Sequence, residues 1–84
     1  MNANEARLEI TWSGEHGTLP DPVSFEATDG DVRGWVAEAI RTGGVPGIPA
    51  DPNVDLRDFV VERYPSKEGR PDNVLMLRPK TPFG

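Results

Sequence analysis

Few side chains in this sequence are histidine or the common nucleophiles, and their spacing limits them further. The chain has one histidine, His16, no cysteine, and three serines, Ser13, Ser24 and Ser66. A serine nucleophile needs a base within hydrogen-bond reach and a third group to orient that base. None of the three lies in a Gly-x-Ser-x-Gly turn. His16, between Gly14 and Gly17 with Glu15 beside it, reads as a solvated loop residue. Asp51, Asp55 and Asp58 form an acidic run, but Pro52 and Leu56 interrupt it. It also lacks the closer oxygen spacing, central glycine and terminal glutamate of a calcium loop. A lone histidine without thiols assembles no zinc set. Gly43-Gly44-Val45-Pro46-Gly47 is glycine-rich, but it follows a predicted helix where a phosphate loop precedes one, and no Gly-Lys-Ser/Thr closes it. No catalytic residue, metal or cofactor is expected, and the protein is expected not to be an enzyme.

The elements that carry these residues follow from periodicity. In Arg7–Trp12, Leu8, Ile10 and Trp12 alternate with Arg7, Glu9 and Thr11, the pattern of a half-buried strand. Ser13–Pro22 is turn-rich and long for a tight hairpin, after which Val23, Phe25 and Ala27 predict a second strand. Thr28 with Asp31 three positions later has the form of a helix start. Val32, Trp35, Val36, Ala39 and Ile40 then make one apolar stripe at helical spacing, and Gly43-Gly44 followed by Pro46 ends it. Residues 43–53 predict a stiff crossover rich in Gly and Pro. Phe59–Tyr64 and Val74–Arg78 predict two more strands, separated by a polar turn. Trp12 and Trp35, each on an apolar face, read as core. The expected core is Leu8, Ile10, Val23, Phe25, Val32, Val36, Ala39, Ile40, part of 59–61, Leu75 and Leu77.

The chain is therefore expected to be one small α+β domain of order β-β-α-β-β, one helix packed across a four-stranded mixed sheet. Residues 1–5 are expected to be a disordered N-terminus, 6–78 the domain and 79–84 an extended tail. With 84 residues it has little margin over the entropy of ordering the chain. No apolar run reaches membrane-spanning length and Met1–Glu5 lacks the features of a signal peptide, so a soluble, cytoplasmic monomer without membrane contact is expected.

The net charge of −5 conceals an asymmetry. Residues 1–62 hold 12 acidic and four basic side chains, whereas residues 63–84 hold two acidic and five basic ones: Arg63, Lys67, Arg70, Arg78 and Lys80. The acidic body repels a phosphate backbone, which argues against nucleic acid. The basic end can steer a protein partner, provided that the last two strands are neighbours. If Leu75 and Leu77 face the helix, Val74 and Met76 face outward, either as an apolar contact patch or buried under the crossover.

This order of elements resembles the β-grasp fold, and within it ubiquitin and the bacterial ubiquitin-like proteins. Gly47-Ile48-Pro49-Ala50-Asp51 is similar to the Gly-Ile-Pro-Pro-Asp segment that follows ubiquitin's helix. Val74-Leu75-Met76-Leu77-Arg78, six residues before a terminal glycine, is similar to its last strand and arginine-bearing tail. The resemblance implies a ubiquitin-like module that acts by protein–protein contact through its sheet face and basic C-terminal region. It implies as an alternative a modifier or sulfur carrier whose terminal glycine, here Gly84, is adenylated by an activating enzyme. Phe83 stands where those families carry a second glycine, and Pro79 and Pro82 stiffen the tail. A small accessory subunit of a larger assembly, phage-encoded for instance, is a third reading.

Overall fold

The computed structural model describes residues 4–80. The first strand, β1 (Glu5–Trp12), buries Ala6, Leu8 and Ile10 completely on one face, as its alternation requires. It turns back at once. Ser13 and Gly14 have φ of 52° and 80°, the two successive positive values of a type I′ turn, whose twist matches that of paired strands. A tight hairpin to β2 (Glu15–Thr18) results, where the sequence predicts a long connection.

After Leu19–Pro22 loops out, the chain rejoins the same strand as β3 (Val23–Ser24), which pairs with Glu5 and Ala6. The predicted second strand is thus shortened to two residues, with Phe25 and Glu26 in a turn. The four expected strands become five because the returning strand is split. β1 also begins inside the segment expected to be disordered, and Phe25 N–H donates to the Asn4 carbonyl at 2.8 Å.

Helix α1 (Asp29–Thr42) starts where Thr28 accepts from the Asp31 N–H at 3.1 Å, with Asp29 and Asp31 favourably placed at the positive end of its dipole. Gly43 caps its other end. Val32, Val36 and Ile40, at i, i+4 and i+8, are fully buried. Trp35 is not: it is 43% exposed. At 100° per residue it lies at the margin of the ridge that Val32, Val36 and Ile40 define, opposite Arg33 and Ala37, so the expected core tryptophan stands on the surface.

The crossover forms part of the core. Val45, Ile48 and Leu56 are at most 5% exposed, core residues of an aperiodic segment that the periodicity does not reveal. Asp51 N–H ties the segment back to the Ile40 carbonyl at 3.0 Å. β4 (Phe59–Tyr64) and β5 (Asn73–Pro79) follow as an antiparallel pair, β5 reaching one residue into the expected tail.

β5 inserts beside β1 and runs parallel to it, Leu8 opposite Leu75 and Ile10 opposite Leu77. The sheet order is β2-β1-β5-β4, mixed, with α1 on one face. This is an α+β architecture whose strand order is consistent with a β-grasp. Among the described residues no helix is long and apolar enough to cross a membrane.

Candidate functional site

Among the described residues, no layer of secondary structure covers the face of the sheet away from α1. It is built from the outward residues of the strands: Arg7, Glu9 and Thr11 on β1, Val74, Met76 and Arg78 on β5, and Val60, Glu62 and Tyr64 on β4. Register sets them in cross-strand rows. Val74 lies between Arg7 and Tyr64, and Met76 lies between Glu9 and Glu62.

Val74 therefore faces outward as expected but offers almost no surface: it is 4% exposed, because its longer neighbours can close over it. Met76 is half-buried at the centre of the face. The outward apolar pair is thus reduced to one accessible side chain within a charged frame.

The frame is ordered by ion pairs. Arg7 Nε donates to Glu9 Oε2 at 2.8 Å, and Arg7 Nη1 lies 3.4 Å from Asp72. Across β5, Arg78 grips Glu62 with two nitrogens, Nε to Oε1 at 2.8 Å and Nη2 to Oε2 at 3.0 Å, while Tyr64 donates its hydroxyl to Oε1 at 3.0 Å. The Arg78 fork, and secondarily the Tyr64 hydroxyl, hold the Glu62 carboxyl below the usual carboxylate range. The same carboxylate pushes the Tyr64 phenol up.

The five basic candidates do not form one patch. Arg63 has the parity of Phe59 and Val61, so it points to the helix side, where it binds the Ala27 carbonyl at 2.8 Å and Asp29 at 2.5 Å. Arg78 is on the open face and spent on Glu62. Arg70 sits in the β4–β5 turn, donates Nη2 to the Pro65 carbonyl at 2.7 Å and lies 5.6 Å from the Tyr64 ring centre. Lys67 bridges Arg70 through backbone bonds in that turn and is exposed; Lys80 is exposed just beyond β5. The pairing of β4 with β5 brings the two strands together, but alternation sends their cations to opposite faces. Gly84 lies outside the described residues.

His16 is on β2 rather than in a loop, and its neighbours were not legible without the hairpin register. Opposite Thr11, it places Nδ1 3.5 Å from Thr11 Oγ1 and Nε2 3.3 Å from Glu9 Oε1. A hydroxyl–imidazole–carboxylate row can in principle pass a proton. Here the row lies on the open sheet face, where His16 is 54% exposed and Glu9 is shared with Arg7.

At the turn end of the same hairpin, Trp12, Ile48 and Pro49 line a shallow cleft of about 240 Å³ with Glu15 and Asp51. Asp51 accepts from Trp12 Nε1 at 3.2 Å and from Asn53 N–H at 2.9 Å, and Trp12 packs on Phe59 with ring centres 5.6 Å apart. These contacts tie the crossover to the hairpin. Among the described residues no group of three or more His, Asp or Glu is placed to hold a metal ion.

Set against known protein families, characterised proteins and solved structures, the chain has no match.

Proposed function

We propose that this chain is a ubiquitin-like, non-enzymatic protein-interaction module of the β-grasp class, cytoplasmic, whose contact surface is the open face of the sheet around Met76. One observation carries the reading: a single helix covers one face of a five-stranded sheet, while the other presents a half-buried methionine framed by ordered ion pairs. An apolar centre with a polar rim is the usual anatomy of a protein contact. Methionine adapts its shape to a partner at little cost. The Gly47–Asp51 segment supports the family reading, since it leaves the helix, buries Ile48 and fixes the crossover as a ubiquitin-like chain would need.

The test compares wild type with Met76→Asp and with Lys67→Glu, each checked for unchanged circular dichroism. Tagged protein is used to capture cross-linked partners from the native host. A partner retained by wild type and by Lys67→Glu but lost with Met76→Asp is the expected result. A partner insensitive to Met76 defeats the assignment of the face. If incubation with a cognate activating enzyme and ATP gives an adenylate or thioester that disappears on deletion of Gly84, the carrier function replaces the non-conjugated one.

A further inference from the structure

Among the described residues β4 ends the sheet, with one of its two sides paired, to β5. In an antiparallel pair, successive residues turn their N–H and C=O alternately toward and away from the partner strand. Phe59 belongs to the set that turns away. Its N–H donates to the Leu56 carbonyl at 3.0 Å, its carbonyl accepts from Arg33 Nη1 at 3.2 Å, and its register partner Pro79 has no N–H to give. Alternation then directs the N–H and C=O of Val61 and Arg63 to the free edge as well, and those of Val60, Glu62 and Tyr64 toward β5. Two residues thus present four ladder groups with no strand beside them.

Arg33 stands at the end of this edge. Together with Ala37, Val54 and Leu56 it lines a largely apolar cleft of about 240 Å³ between α1 and the segment leading into β4. Arg7, Arg41, Arg57, Arg63 and Arg78 each pair with a carboxylate. Arg33 is half-buried, yet among the described residues it has a backbone carbonyl as its partner and no carboxylate. Asp55 and Arg57 also line this cleft but pair with each other at 2.8 Å, which leaves the other Arg33 donors beside an apolar hollow and an open ladder.

We infer that the α1–β4 edge receives an extended, acidic–apolar segment of a partner protein, which adds a strand to β4 at Val61 and Arg63, seats an apolar side chain in the Ala37–Val54–Leu56 cleft and lays a carboxylate on Arg33. Strand addition draws its affinity from main-chain bonds and its specificity from side-chain pockets and charge. A second copy of this chain fits less well. The one antiparallel register that engages both open residues sets Val61 against Arg63 of the copy, and with it Glu62 directly opposite Glu62 of the copy. This surface is distinct from the sheet face around Met76 and stands or falls separately.

The probe is a phage-displayed library of hexapeptides selected on the immobilised protein, with the enriched peptides synthesised and titrated by NMR. The expected consensus alternates β-branched residues and contains an aspartate or glutamate. Binding should protect the Val61 and Arg63 amides from exchange, weaken about tenfold or more with Arg33→Glu, and stay unchanged with Met76→Asp. N-methylating alternate nitrogens of the peptide, which leaves the protein untouched, should abolish it. No enrichment, a basic consensus, or binding indifferent to N-methylation or to Arg33→Glu overturns the inference. Protection of both amides in the free protein that rises with its concentration overturns it too, by showing that a second copy covers the edge.

Discussion

Glu62, Tyr64 and Arg78 form one hydrogen-bonded unit, and the signs of the Glu62 and Tyr64 shifts set the pH window in which its contribution is complete. The Arg78 guanidinium, followed by the Tyr64 hydroxyl, lowers the Glu62 carboxyl relative to the unfolded chain. A depressed carboxylate contributes stability above its unfolded value, about 4.3, and loses it as pH falls through the folded value. Tyr64 is shifted up, first because its hydroxyl donates to the Glu62 carboxylate. Its contribution is therefore complete below about 10 and is lost as pH rises through the folded value. Both contributions are complete between about 4.3 and 10 and decline only outside that window, as pH passes the lowered Glu62 and raised Tyr64 values of the folded state. Arg78→Ala should move the Glu62 titration, followed by carboxyl-carbon NMR, upward toward the ordinary range, and Tyr64→Phe should move it in the same direction by less. An unchanged Glu62 midpoint in Arg78→Ala would show that the fork does not hold the carboxylate in solution.

The joint between the β1–β2 hairpin and the crossover depends on a missing side chain. A Cβ on Gly17 would stand 2.7 Å from Val45 Cγ1 and 2.8 Å from the Pro46 carbonyl oxygen, and the second of these is backbone that no rotamer change can move. Gly34, on the exposed side of α1, has nothing within 4 Å of that position. The same substitution should therefore have opposite signs. Gly17→Ala is expected to cost about 1–3 kcal/mol by overpacking, and Gly34→Ala to add about 0.5–1 kcal/mol by helix propensity. Both are read from urea midpoints at constant slope. This joint also marks where the sequence stops being legible. Where side chains alternate or recur at helical spacing, as in β1 and α1, the pattern shows the element and its buried face, whereas the continuous apolar runs of β4 and β5 show the element without the face. At Gly17 the core position is empty, and Val45 and Ile48 fill it from an aperiodic segment, so neither the hairpin nor its partner has a signal. Trp35 misleads for a related reason, since hydrophobicity at i+3 does not say how wide the buried ridge is. The basic residues are visible as a group along the chain, but their separation onto two faces appears only with the register that sets Arg63 opposite Leu75 and Val60 opposite Arg78.

The first and last strands of the domain are partners at the centre of the sheet. β5 pairs in parallel with β1 and antiparallel with β4, and Asn73 reinforces the seam by donating Nδ2 to the Glu5 carbonyl at 3.0 Å while accepting from Ser66 N–H at 2.7 Å. No smaller unit keeps both the helix and a covered sheet, because removing β5 leaves the β1 hairpin and β4 without a shared neighbour. Folding should accordingly be all-or-none, and slow for the length, because its central contacts are the most distant in sequence. Leu75 is fully buried opposite Leu8, so Leu75→Ala should cost about 2–5 kcal/mol. Set against a total of about 5–15 kcal/mol for a domain, and the lower end for one this small, that loss leaves a substantial unfolded population. Native-state hydrogen exchange checks the same cooperativity without mutation. The ladder amides of β1 and β5 should exchange only through global unfolding, with one common free energy, while those beside the Ser13-Gly14 turn and in β3 open locally at lower cost. If β1 and β5 exchanged at different free energies, the hairpin would be a separate folding unit and the central seam would not govern the stability of the molecule.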